Sequence, residues 1–172
     1  MKKITFILSL FAVVLTSCSG SDGRDGLDGL DAPKPTVFED RANYTYDANT
    51  NSWTSQLFTF NGSEAGDIYL AYISLNNDNL FTNMPTSIFD DQGEFQYVFD
   101  HNFDSVEMQI IGDSDLSGLD NASTKNVKVR IAIIPADLAK AFNKDDFANY
   151  DSLMSALELN ESDVQNIDDI IY

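Results

Sequence analysis

The run Asp113-Ser114-Asp115-Leu116-Ser117-Gly118 places side-chain oxygens at alternate positions and glycine at the sixth. That is the first half of a calcium loop, in which spaced oxygens wrap the ion and glycine permits the sharp turn. The second half departs from the pattern. Its twelfth position is Thr124, not a bidentate glutamate, and its eighth is Asp120, where an apolar residue is usual. The loop also follows a strand-like segment, not a helix. Asp113, Asp115 and Ser117 are therefore the candidate metal ligands, and Ca2+ is the one cofactor the sequence suggests. A plain polar connection between strands is the preferred reading.

Nucleophilic catalysis needs a base beside a nucleophile. His101 is the sole histidine and Cys18 the sole cysteine. No Gly-x-Ser-x-Gly, phosphate loop or dinucleotide fingerprint occurs. His101 lies in Asp100-His101-Asn102, just past an aromatic strand, and reads as a solvated turn residue. One histidine lacks the partners for a zinc site. The 28 carboxylates leave room for a glycosidase-like pair, but such a pair must face across a cleft at about 5–9.5 Å, which spacing along the chain does not determine. Tyr44, Tyr46, Trp53, Tyr69 and Phe81 would suit a sugar-stacking platform, or equally the core pairs of a β domain. No residue is assigned as catalytic.

Cys18 has a more specific setting. Lys2 and Lys3 precede an apolar-rich stretch over 4–15, and Leu15-Thr16-Ser17 leads into the cysteine. A basic start, a short apolar core and small residues before a cysteine resemble a bacterial lipoprotein signal. Twelve apolar-rich residues fall short of the roughly 20 that a spanning helix needs. The expected organisation is a signal peptide over 1–17, a lipidated Cys18 opening a linker over 18–35, and a folded domain over 36–172. Cleavage before Cys18 would remove Lys2 and Lys3 from 10 basic residues and none of the 28 acids, leaving a formal charge of −20. So acidic a chain is repelled by nucleic acid and by anionic membrane surfaces. Membrane attachment would then rest on the acyl chains, which hold stably when two or more are present. With no second cysteine, a disulfide is excluded and the domain must rely on its apolar core.

The linker contains Gly20-Ser21-Asp22, Gly23-Arg24-Asp25, Gly26-Leu27-Asp28 and Gly29-Leu30-Asp31. The period is collagen-like, yet no proline occurs in it, and four triplets are too few to pair three chains. A flexible acidic tether is the expectation. Beyond it, aromatic and β-branched residues become dense. In Val127-Lys128-Val129-Arg130-Ile131-Ala132-Ile133 the odd positions are all apolar, the mark of a half-buried strand. Phe95, Tyr97 and Phe99 alternate likewise, as do Val106, Met108 and Ile110. The stretch 67–75 is apolar on both faces and reads as a central strand. Further strands are expected over 36–39, 41–46 and 53–60. Breaks rich in Asn, Asp and Gly separate them, which predicts a mainly β fold, an antiparallel β-sandwich of Ig-like or jelly-roll-like type. After Pro135 the period lengthens. A short helix over 136–142 and a second through Phe147, Tyr150, Met154 and Leu157, capped by Asp145 or Asp146, are expected on an edge or open end of the sandwich.

Taken together, the cysteine signal, the Gly-x-x triplets, Met84-Pro85-Thr86, the run from Val129 through Asp137 and the segment Tyr150-Asp151-Ser152-Leu153-Met154 resemble the collagen-like-repeat small lipoproteins of the Bacteroidota. The resemblance covers nearly the whole chain and carries no catalytic motif. It implies a cell-envelope location on a lipid anchor, with the outer membrane as the expected site, on its periplasmic or external face. Asp104-Ser105-Val106 and Asp151-Ser152-Leu153 match the Asp-Ser/Thr-aliphatic O-glycosylation signal of such envelope proteins, at Ser105 and Ser152. The expected function is a non-catalytic interaction or structural module. The alternatives are a glycan- or calcium-binding module and a carboxylate-based glycan hydrolase.

Overall fold

The computed structural model describes residues 34–91 and 93–167. Cys18, the signal and the linker lie outside the described residues. The described domain is mainly β, a sandwich of two antiparallel-rich sheets with helices following. Its strands are β1 (Thr36–Ala42), β2 (Thr45–Asp47), β3 (Ser52–Thr54), β4 (Phe58–Thr59), β5 (Ile68–Ser74), β6 (Thr82–Asn83), β7 (Thr86–Asp90), β8 (Gly93–His101), β9 (Ser105–Gly112), β10 (Val127–Ile134) and β11 (Gln165–Asn166). Sheet A runs in the order β11-β1-β10-β5-β6, and sheet B in the order β2-β3-β9-β8-β7, with β4 also on β9. Three short α-helices accompany them: α1 (Asn121–Thr124), α2 (Ala136–Ala139) and α3 (Tyr150–Ala156).

The inner faces of the sheets form one core. Sheet A contributes Phe38, Ala71, Ile73, Val129 and Ile131, and sheet B contributes Phe95, Tyr97, Val106, Met108 and Ile110. These are the alternating positions of their strands, as a pleated chain requires. Polar tips at the margin of this core find partners. The Tyr69 hydroxyl donates to the Phe103 carbonyl and the Tyr97 hydroxyl to that of Ser123, each at 2.8 Å.

Sheet A is covered on its other face as well. There Val37, Tyr72, Ala132 and Ile134 pack with Tyr150, Leu153, Met154 and Leu157. The helical layer thus lies on the outer face of sheet A, not on an edge or an open end. This changes the reading of β10. Every residue of that strand is buried, including Lys128 and Arg130. It is a fully buried strand between β1 and β5, not a half-buried one.

Other boundaries shift for local reasons. The segments expected over 36–39 and 41–46 are one unbroken β1 to Ala42, followed by the short β2. The strand expected over 53–60 divides into β3 and β4. At the break the Ser55 hydroxyl takes the place of a ladder carbonyl and accepts from the Met108 amide at 3.0 Å. Helix α3 is capped by Asn149, whose side chain accepts from the Ser152 amide. Asp146 instead closes the preceding 3-10 turn, in a capping box with Asn143. Asparagine also fills left-handed turn positions, which it tolerates better than most residues. Asn51 has φ 48° and Asn77 has φ 52°. Each then uses its side-chain oxygen to tie a distant backbone amide, Asn51 that of Leu116 and Asn77 that of Lys128.

The buried hydroxyl of Tyr72 stands between sheet A and α3 with no hydrogen-bond partner among the described residues. Burial, followed by the neighbouring Tyr150, pushes its pKa well up. A buried polar group without a partner carries its desolvation cost with nothing to offset it. Tyr72→Phe should therefore be neutral or stabilising in urea denaturation, whereas Tyr97→Phe should lose about 1 kcal/mol with its bond to Ser123. A loss above roughly 1.5 kcal/mol for Tyr72→Phe would contradict this assignment.

Candidate functional site

A connected group of polar side chains lies on the helical side of sheet A, around Arg130. Alternation along β10 turns Arg130 away from the inter-sheet core and into the helical layer, where its side chain is 4% exposed. A charge so buried must be paired and hydrogen-bonded. Its Nε donates to Glu39 Oε2 at 2.9 Å. Nη1 and Nη2 grip the two oxygens of Glu161 at 2.8 and 2.6 Å. Nη2 also lies 2.8 Å from Glu39 Oε2, and Nη1 donates to the Tyr150 hydroxyl. The guanidinium carbon lies over the Phe81 ring, 4.1 Å from its centre.

Three separate elements meet on this one cation: Glu39 from β1, Tyr150 from α3 and Glu161 from the 3-10 turn before β11. The fork of Arg130 makes a bidentate grip that a lysine does not reproduce. Burial pulls the Arg130 pKa down, and the bonds to Glu161 and Glu39 more than offset this, so the net shift is upward. The bond from Arg130 in turn holds Glu161 below the usual carboxylate range. Lys128 extends the cluster. Its Nζ donates to Asn79 Oδ1 at 3.0 Å and lies 3.9 Å from Glu39. Each guanidinium nitrogen is occupied by a side chain of the fold itself. The arrangement is a clasp between layers, with its donors already committed.

The calcium-loop residues are organised differently. Asp115 accepts from the Ser117 amide at 2.9 Å and caps the 3-10 turn Leu116–Gly118. That bond, and one from the Ser117 side chain, lower the Asp115 pKa. Leu116 is buried in the inter-sheet core, and its carbonyl accepts from Trp53 Nε1 at 2.8 Å. The loop is thus pinned to the sandwich by a buried leucine and two sequence-distant side chains, Asn51 and Trp53. Among the described residues, no group of three or more His, Cys, Asp or Glu is placed to hold a metal ion. The motif's carboxylate and carbonyl oxygens serve as cap and anchor.

The remaining candidates separate from one another. Ser105 opens β9 beneath β4 and is 4% exposed, so as an acceptor for a glycan it is covered in the folded domain. Ser152 lies in the first turn of α3 and is partly exposed. His101 is exposed, but it is the last residue of β8, paired with Val106, not a turn residue past the strand. It stacks on Tyr69 at 4.7 Å between ring centres. The five aromatic residues form no platform. Tyr44 and Tyr69 are buried between the sheets, Tyr46 and Trp53 pair at the margin of that core, and Phe81 lies under Arg130 on the opposite side of sheet A. Sequence reasoning missed Arg130 as an organising residue. Two positive charges at alternate positions of a strand read as a solvated face, and no local signal announces partners at Glu39 and Glu161.

Comparison with protein families, curated proteins and solved structures finds no match.

Because the clasp uses the forked geometry of Arg130, Arg130→Lys should not restore it. Glu39 and Glu161 are 29% and 67% exposed, so solvent screens the pairing. Arg130→Lys keeps the charge but loses the fork, and should cost about 1–3 kcal/mol in denaturant unfolding. Glu161 has a lowered pKa, so its contribution is complete above the usual carboxylate range and is lost as pH falls through its folded value. Glu161→Gln should therefore remove part of the acid sensitivity. An Arg130→Lys protein as stable as the parent would contradict the clasp.

Proposed function

We propose that this chain is a lipid-anchored cell-envelope protein whose β domain is a non-catalytic interaction module on a Gly-x-x tether. The anchor rests on the basic start, the short apolar stretch and Cys18. What supports a module over an enzyme is how the described domain uses its charges. Arg130 is saturated by Glu39, Glu161 and Tyr150. Asp115, Asp120, Asp146 and Asp163 cap local turns. The groups with the most chemical potential thus hold elements together. Among the described residues, no helix is long and apolar enough to cross a membrane. Attachment in this reading is through acyl chains on Cys18, each buried methylene adding about 0.8 kcal/mol.

The test is direct. Mass spectrometry of the membrane fraction should find a chain that begins at a lipidated Cys18. Cys18→Ala should move the protein to the soluble fraction, since so acidic a chain has no electrostatic hold on anionic lipid. A mature chain with a free Cys18 thiol, or one retaining Met1, would overturn the proposal.

A further inference from the structure

The cations of the domain are segregated by sheet. From Ala42 to Thr124 the sequence contains no lysine or arginine. All six strands of sheet B, β2, β3, β4, β7, β8 and β9, fall in that span. Sheet A and the helical layer carry Arg41, Lys128, Arg130, Lys140 and Lys144. Lys125, just past the span, donates to the Tyr44 carbonyl and lies over the Trp53 ring, at the inner side of sheet B.

Helices α2 and α3 cover sheet A, while the outward side chains of β7, β8 and β9 stay partly or wholly exposed. Register places Phe89 beside Glu94, and Ile111 beside Gln96. Phe89 is 75% exposed and Ile111 38%. Next to Ile111 lies a surface hollow lined by Glu94, Gln96, Ile111, Gly112, Asp113 and Ser114. The hollow has an apolar wall and two carboxylates at its border. The Gln96 amide donates to Ser87 Oγ at 3.0 Å and to Glu94 Oε1 at 3.4 Å, which leaves the other Glu94 oxygen for a ligand. Farther along the same face stand Asp100 and Glu107, register partners of each other.

We propose that this outer face of sheet B docks a basic, extended segment of a partner polypeptide, resting on the reading of the domain as an interaction module. A lysine or arginine side chain has an aliphatic stem and a cationic head. In the hollow the stem lies on Ile111 and the head meets Glu94 and Asp113. Phe89 and Ile111 are two strands and two residues apart, about 12 Å from strand spacing and rise. In an extended peptide, side chains four residues apart share a face at about 13.5 Å. A basic residue in the hollow therefore brings an apolar residue, four positions away, over Phe89. A second copy of this chain is disfavoured as occupant, because two such acidic faces repel.

The experiment uses the full-length chain purified in mild detergent and a labelled serine-rich decapeptide carrying a lysine and, four residues on, a leucine. Fluorescence anisotropy should show saturable, salt-sensitive binding, absent when glutamate replaces the lysine. Phe89→Ser with Ile111→Thr, and separately Glu94→Gln with Asp113→Asn, should each weaken binding about tenfold or more, as expected for central contacts. Asp145→Asn with Asp151→Asn removes the same charge from the helical side and should change affinity less than about twofold. An unchanged melting curve for each variant separates lost contact from lost fold. Equal weakening by the helical-side pair would reduce the effect to net charge and overturn the proposal. Equal binding of the glutamate peptide, or no saturation up to millimolar peptide, would also overturn it. None of these failures bears on the Cys18 anchor, which is read by mass and fractionation.

Discussion

A cation buried in the middle of a sheet constrains everything around it. Arg130 lies on β10, the one strand of sheet A flanked by β1 and β5 and buried along its whole length. An unpaired charge there would be prohibitive, so the layer can close only if anions arrive with it. They come from opposite ends of the domain: Glu39 lies in the first strand and Glu161 just before the last. Tyr150 adds a third element, and the aromatic face of Phe81 a fourth. The packing of α3, the return of the chain to β11 and the pairing of β11 with β1 all converge on this residue. Net stabilisation by buried ion pairs is often small, and their best-attested role is to select one arrangement. For this domain that arrangement is the three-layer order of sheet B, sheet A and helices.

The same placement explains the asymmetry of the surface. The cations of sheet A are drawn to its helical side, where Glu39, Asn79 and Glu161 receive them. Sheet B is left with carboxylates, amides and two exposed apolar side chains. A face of one sign attracts ligands of the other and repels its own copies. In the proposed reading recognition falls to the outer face of sheet B, where substitutions need not disturb the core that its inner face shares with sheet A.

Much of the architecture was legible in the sequence because it follows local alternation. The inward sets Phe95/Tyr97 and Val106/Met108/Ile110, and the two-faced apolar character of β5, were each visible in a few neighbouring residues. The helical face through Tyr150, Met154 and Leu157 was visible at its three- and four-residue steps. What escaped were features that depend on distant partners. Lys128 and Arg130 alternate with apolar residues as solvent-facing charges do, and only the helical layer above them buries them. Ser105 has the short motif of a modification site, but β4 pairs over it. Asp113, Asp115 and Ser117 have the spacing of ligands, and the positions of Trp53 and Asn51 turn that loop into a capped plug. Asn149, not Asp145 or Asp146, caps α3, because a separate 3-10 turn intervenes and takes Asp146 for itself. The anchor and tether expected at Cys18 lie outside the described residues and rest on sequence alone.

If Arg130 and the double coverage of sheet A organise the domain, its backbone should open in a defined order. Native-state hydrogen exchange on the full-length chain reads that order strand by strand. Amides of β10 should exchange only through global unfolding and be the slowest of the described domain. Those of β7, at the edge of sheet B, should exchange earliest among the longer strands. Exchange in β10 as fast as in β7, or release of β10 while sheet B stays protected, would contradict it.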